Sequence, residues 1–431
     1  MSSRTAAAVL AGLLVLGPVS PAHAQQTVAP LPDGKTSGVA VPGQEQVCLP
    51  PPKGMDPSIP WPQQQLAPQR VWPLTKGAGV LVGVVDTGVD ASIPQLAGGR
   101  ILPGFDVIAG PSGGSADSDC VGHGTFLAGI IGASPVPGTG FAGVAPEATI
   151  LPVRVAKSLT EGTAGALTPK SLALGIRKAV DSGARVVNVS ASTTLPDAEL
   201  ASAVAYAAER DVVVVASAAN GAKDGDPVTY PASYPTVIAV GAVDSAGQHA
   251  DFSQTGPYLS LVAPGVDVIS VGPGGPGQWQ GTGTSYAAPF VTGVATLVRA
   301  YHPDLTAPQI KHRLETTANH PATALPDPAL GWGTVNPVAA VTAMLPEENA
   351  ASPGGVVKPP QARAADIVPP DELGPLLSVI GVFGVLSFAF VLVWVSRLYA
   401  SGRRRGWGPT RVVRVVQSHP TPKEPASTLG D

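Results

Sequence analysis

Charge is what this 431-residue sequence has least of: Lys, Arg, Asp and Glu together make up 13% of it. Its 26 basic residues are outnumbered by 30 acidic ones, for a formal net charge of -4. Such a chain has no basic face with which to neutralise a row of phosphates, so nucleic acid is excluded as a partner. Cysteine is scarcer still, with two in the whole chain, Cys48 and Cys120. The one histidine at ligand spacing from either is His123, just after Cys120, and a single such pair supplies too few ligands for zinc. No metal ligand set and no cofactor is expected, and no calcium site can be argued from the sequence. There is no internal repeat, which excludes repeat architectures. What is abundant is glycine (51) and proline (47), without periodicity, beside an ordinary apolar fraction of 44%. The excess belongs in loops and linkers around a normal core.

The two ends differ from the middle. Arg4, an apolar run over residues 6–16, Pro18 and the small-residue site Ala22-His23-Ala24 have the three-part layout of a secretory signal peptide, residues 1–24. Near the other end, residues 376–395 carry no charge, and about 20 helical residues at about 1.5 Å each reach across a hydrocarbon core of roughly 30 Å. Asp371 and Glu372 precede this stretch, and Arg397, Arg403, Arg404 and Arg405 follow it. The positive-inside rule then leaves residues 396–431 as a basic cytoplasmic tail. The expected location is the cell membrane, single-pass, with the large domain outside and membrane lipid contacted by one transmembrane helix. Two exported cysteines in an oxidising compartment usually pair, and two unrelated buried thiols are the alternative.

Between these ends, residues 25–70 are rich in Pro, Gly and Gln and read as an extended N-terminal arm. From Val71 the pattern alternates. Short β-branched runs at 80–85, 149–155, 185–189, 212–216 and 237–240 read as buried parallel strands. Helical stretches at 122–131, 172–182 and 197–210 lie between them, and two more follow at 284–301 and 307–316. This alternation predicts an α/β fold, a doubly wound, mostly parallel sheet with helices on both faces, over residues 71–345. A Pro-rich linker, 346–375, leads to the membrane segment.

Three short signatures stand where such a fold exposes side chains. Val84-Val85-Asp86-Thr87-Gly88 puts a carboxylate at the carboxyl end of a strand, where open α/β sheets build their sites. Alone, it is equally a cap. Gly122-His123-Gly124-Thr125 sets an imidazole between two glycines at a helix start, allowing close backbone approach. A satisfied surface histidine is the alternative there. Gly281-Thr282-Gly283-Thr284-Ser285-Tyr286-Ala287-Ala288-Pro289 delivers a serine to the start of a long helix, whose dipole favours developing negative charge. A plain N-cap does not require the double Gly-Thr before the serine or Ala-Ala-Pro after it.

In the order Asp, His, Ser, the three motifs resemble those of the subtilisin-like serine proteases. The resemblance implies an endopeptidase acting on protein or peptide substrates. Ser285 would be the nucleophile, His123 the general base and Asp86 the partner that fixes the imidazole tautomer. It further implies that Asn220, in Ala218-Ala219-Asn220-Gly221, donates to the oxyanion, although a turn Asn before Gly is common. The family has Gly where Ala219 stands. By the same resemblance an extended substrate lies along Ser190, Ala191 and Ser192, with Ala218 and Ala219 opposite. Gly138-Thr139-Gly140-Phe141-Ala142-Gly143 fits a dinucleotide fingerprint, but Pro135 and Pro137 precede it instead of a strand, so it reads as a loop. The signal peptide, the cysteine-bearing arm, Tyr286 after the serine and the C-terminal membrane segment are together similar to the mycosins, membrane-anchored proteases of type VII secretion systems. That likeness implies processing of secreted substrates and a stabilising place in the secretion membrane complex; a mainly structural role with dispensable proteolysis is the alternative.

Overall fold

The structure is a computed structural model that describes residues 29–30 and 48–349, apart from 53, 111–112 and 158–164, together with residue 397. The chain divides into two compact units, Met1–Pro353 and Gly354–Asp431. The expected signal peptide and membrane segment, the cytoplasmic tail apart from residue 397, and most of the linker lie outside the described residues. Among those described, no helix is long and apolar enough to cross a membrane.

In chain order the elements are β1 (Ala29–Pro30), α1 (Trp61–Leu66), β2 (Leu81–Asp86), β3 (Phe105–Asp106), α2 (His123–Gly132), β4 (Thr149–Arg154), α3 (Pro169–Asp181), β5 (Val186–Val189), α4 (Ala198–Glu209) and β6 (Val213–Ser217). There follow β7 (Ile238–Val243), β8 (Leu259–Pro264), β9 (Val268–Val271), β10 (Gln278–Gly281), α5 (Thr284–Tyr301), α6 (Ala307–Thr316), α7 (Pro337–Thr342) and α8 (Pro346–Asn349). Seven strands form one sheet in the order β3-β4-β2-β5-β6-β7-β8, and every pairing in it is parallel. Strands covered on both faces read as unbroken Val, Ile and Ala runs, which is why the five expected strands were visible in the sequence.

Two apolar cores follow from the alternation of side chains along each strand. Val82 and Val84 of β2 and Val213 and Val215 of β6 face the core built on α2 and α5. Val85, Val214 and Ala216 face the other, built on α3 and α4. Helix α3 starts at Pro169, earlier than the expected 172, because Thr168 and Ser171 form a reciprocal capping box that satisfies otherwise orphaned N–H groups.

From β2 the chain crosses to β4 on one side, then passes back over β2 to β5 and continues outward through β6 to β8. The carboxyl ends of β2 and β5 therefore flank the point where strand order reverses, the crevice where open α/β sheets bind ligands, and β6 lies next to β5. The stretch expected to be an extended arm contains α1, with Gln63 and Leu66 buried, and a following single turn at Pro68–Arg70. Its glutamines and prolines masked an apolar face of few residues. Cys48 and Cys120 form a disulfide, and Leu49 N–H donates to the Cys120 carbonyl at 2.8 Å. The arm is thereby fastened to the loop before His123. Farther back, Ala29 and Pro30 pair alongside Trp279 and Gln280 of β10. Residues 138–143 run as irregular chain with no strand before them, as expected.

Candidate active site

Asp86 ends β2 and is 1% exposed. Its Oδ1 accepts from the Thr87 N–H at 2.8 Å and lies 2.8 Å from His123 Nδ1. An ionised carboxylate only accepts, so Nδ1 carries the proton and Nε2 is left with its lone pair. His123 is the first residue of α2, and close packing holds it there. A β-carbon at position 124 would collide with the Gly88 carbonyl, and one at position 122 with the Leu49 side chain. Both glycines are thus needed for the approach of β2, α2 and the arm.

Glycine at the N-cap of α2 has no side chain to satisfy the helix's first N–H groups. Asp119 supplies what Gly122 lacks. Its Oδ1 accepts from Gly122 N–H at 2.9 Å and from Thr87 Oγ1 at 2.9 Å. Its Oδ2 accepts from Thr125 N–H at 2.8 Å and Thr125 Oγ1 at 2.7 Å. Burial pushes the Asp119 carboxyl above its ordinary range, and the hydrogen bonds from Thr125 and Gly122 oppose that only in part. For His123, burial is the largest single influence and pulls the imidazole down. The charge of Asp86, its hydrogen bond and the charge of Asp119 together outweigh burial and hold His123 above its ordinary value.

The other half of the site is the start of α5. Ser285 Oγ donates to the Ser190 carbonyl at 2.9 Å, and Ser190 Oγ donates in return to the Ser285 carbonyl at 2.8 Å. Pro289 explains why that carbonyl is available. Having no N–H, it cannot close the helical bond to residue 285. A buried chain backs this pair: Asn188 Nδ2 donates to Ser190 Oγ at 2.9 Å, and Thr292 Oγ1 to Asn188 Oδ1 at 2.9 Å. The Ser190 side chain is turned inward on the serine helix. The Ser285 hydroxyl is directed at Ser190 and not at His123. The ring of Tyr286 lies 5.4 Å from the imidazole, centroid to centroid.

Asn220 Oδ1 accepts from Thr284 N–H at 2.8 Å and Thr284 Oγ1 at 2.9 Å. Because an N–H must face an oxygen, this fixes the amide orientation and leaves Nδ2 free to donate. Asn220 itself is exposed. Ala219 has φ 79°, the left-handed region that glycine occupies without strain. Ala218 and Ala191 are both buried. Beyond them, the Thr193 and Tyr230 backbones exchange hydrogen bonds of 2.9 and 2.8 Å.

The motifs included Thr87 without disclosing its role, and they did not include Asp119 or Arg154. Arg154 Nε donates to the Thr87 carbonyl at 2.9 Å and its Nη1 to Asp106 Oδ2 at 2.8 Å, clamping the turn after Asp86. The available signal for Asp119 was an acidic residue just ahead of a glycine N-cap.

Comparison with known proteins agrees with this geometry. The model of the subtilase family matches residues 77–333. Mycosin-1 of Mycolicibacterium smegmatis is 32% identical over 91% of this chain and 98% of its own length. The structure of a serine protease, MycP1, an essential component of the type VII (ESX-1) secretion system, superposes with a TM-score of 0.59 at 32% identity, over 69% of this chain and 93% of that one. The MycP3 protease from the type VII (ESX-3) secretion system gives a TM-score of 0.59 at 34% identity, over 74% and 92%. The chain belongs to the subtilase family of serine proteases and, within it, to the mycosins.

Proposed function

We propose that this mycosin is a membrane-anchored endopeptidase that cleaves peptide bonds on the outer side of the membrane through Asp86, His123 and Ser285. The observation that carries the reading is the buried 2.8 Å contact of Asp86 with His123 Nδ1. It leaves Nε2 as a base on the side of α5. Rotation of the Ser285 side chain away from Ser190 brings its hydroxyl to Nε2, a contact that commonly tightens only with substrate bound. His123 takes the proton as Ser285 attacks the scissile carbonyl. It returns that proton to the leaving amine, and water then hydrolyses the acyl-enzyme. The Ser285 N–H in the first turn of α5 has no helical acceptor, and with Asn220 Nδ2 it receives the oxyanion.

Anchoring through residues 376–395 is supported by their lack of charge and by the arginines that follow. The type VII association of MycP1 and MycP3 supports secreted substrates of such a system as the targets. The description of MycP1 as an essential component supports a second role here, as a structural part of a secretion complex. A serine-directed fluorophosphonate should label the wild type at Ser285 and leave Ser285→Ala unlabelled; labelling elsewhere overturns the reading. Secretion that persists in a Ser285→Ala strain and is lost on deletion would establish the structural role beside the enzymatic one.

A further inference from the structure

Thr87 and Thr125 meet at Asp119, and through them two separately folded parts of the site are joined. Thr87 follows Asp86 in the turn after β2. Its Oγ1 accepts from Gly124 N–H at 3.0 Å and donates to Asp119 Oδ1. Thr125 lies in the first turn of α2, and its N–H and hydroxyl both donate to Asp119 Oδ2. The carboxylate is 4% exposed and receives four hydrogen bonds, two on each oxygen. Only a carboxylate presents four acceptor positions at this size. An amide would aim its NH2 at donors on one side or the other.

We propose that Asp119 is a positioning residue of the active site, whose carboxylate fixes the His123 helix against the Asp86 turn and so sets the aim of the imidazole. This rests on the triad reading given above. Asp119 does not reach the substrate; it acts by holding N–H groups at the helix entrance, where a negative charge is also favoured by the helix dipole. The groups facing His123 are Asp86 from β2, Asp119 from the loop before α2 and the Tyr286 ring from α5. Arg154 of β4 grips the Thr87 carbonyl on the far side of the same turn.

Asp119→Asn is the test, made in the full-length protein and measured with a peptide substrate and a fluorophosphonate. The expected result is a loss of about a hundredfold in kcat, the scale at which misplacing a catalytic group is felt, with KM unchanged. The acid limb of kcat/KM should also move to lower pH. Neutral His123 is the base, so the rate rises as the imidazole loses its proton, and removing the Asp119 charge lets burial lower it. Packing damage that admits water to the imidazole would move that limb the other way, to higher pH, because burial holds His123 down. If Asp119→Asn fails to fold, Thr87→Val and Thr87→Ser decide. Valine should lose the rate and serine, which keeps Oγ, should restore it. A folded Asp119→Asn with wild-type kcat and acid limb, or Thr87→Val with wild-type kcat, overturns the proposal. Failure of the wild type to label at Ser285 overturns the triad reading and this one with it.

Discussion

Two helix N-termini face each other across the site, and they are built differently. Helix α2, which begins with His123, is locked: its donors are taken by a buried carboxylate and a threonine, and its loop is joined to the arm by the disulfide. Helix α5, which carries Ser285, opens on an exposed neutral amide, Asn220, that spends its oxygen on Thr284 and keeps Nδ2 free. The base needs one fixed tautomer and direction throughout the reaction. The oxyanion side must instead keep donors unused until charge develops.

The strongest way to break this arrangement is to remove its chemistry. Ser285→Ala and His123→Ala should each lose about a millionfold in turnover, and Asp86→Ala about ten-thousandfold, read by single-turnover hydrolysis. Next is the covalent fastening of the His end. Cys48→Ser removes a link across 72 residues, worth about 4 kcal/mol in the chain-entropy account. Chemical denaturation with and without reductant should show the wild type falling to the level of the variant. On the open side, Asn220→Ala should cost about a hundred- to thousandfold in kcat with little change in KM. A smaller effect of opposite sign is expected from Ala219→Gly, which relieves a left-handed alanine and should add about 1 kcal/mol, seen as a higher melting temperature. The smallest concerns pH. With His123 held above its ordinary value, the acid limb of kcat/KM should have its midpoint above about 6.5. That midpoint should be the same in Asn220→Ala, since the two ends act separately.

The sheet was legible where burial on both faces left a continuous apolar run, as at 80–85 and 212–216. It was not legible at β8, where Leu259–Pro264 interleaves a serine, or at β9 and β10, which are short and broken by a glycine-rich turn. Asp86, His123, Ser285 and Asn220 could be named because each sits in a motif whose glycines and small residues are themselves required by geometry. The roles of Asp119, Thr87 and Arg154 could not be read, although Thr87 stands in the Asp86 motif, because they come from contacts between segments that only folding brings together. Ser190 shows the limit from the other side. Its place after β5 was readable, but its contacts with Asn188 and the Ser285 carbonyl come only from folding.

The proline inside α5, Pro289, has a consequence for motion. The first turn of a helix is ordinarily where fraying begins, since its hydrogen bonds are fewest and its opening free energy lowest. By withholding its own N–H, Pro289 frees the Ser285 carbonyl for Ser190, and the turn is sewn to the end of β5 instead of to the next turn of its own helix. Opening of this turn should therefore be coupled to the end of β5: its hydrogen-bonded amides should be protected together with β5, while the Ser285 N–H, which has no acceptor, exchanges freely.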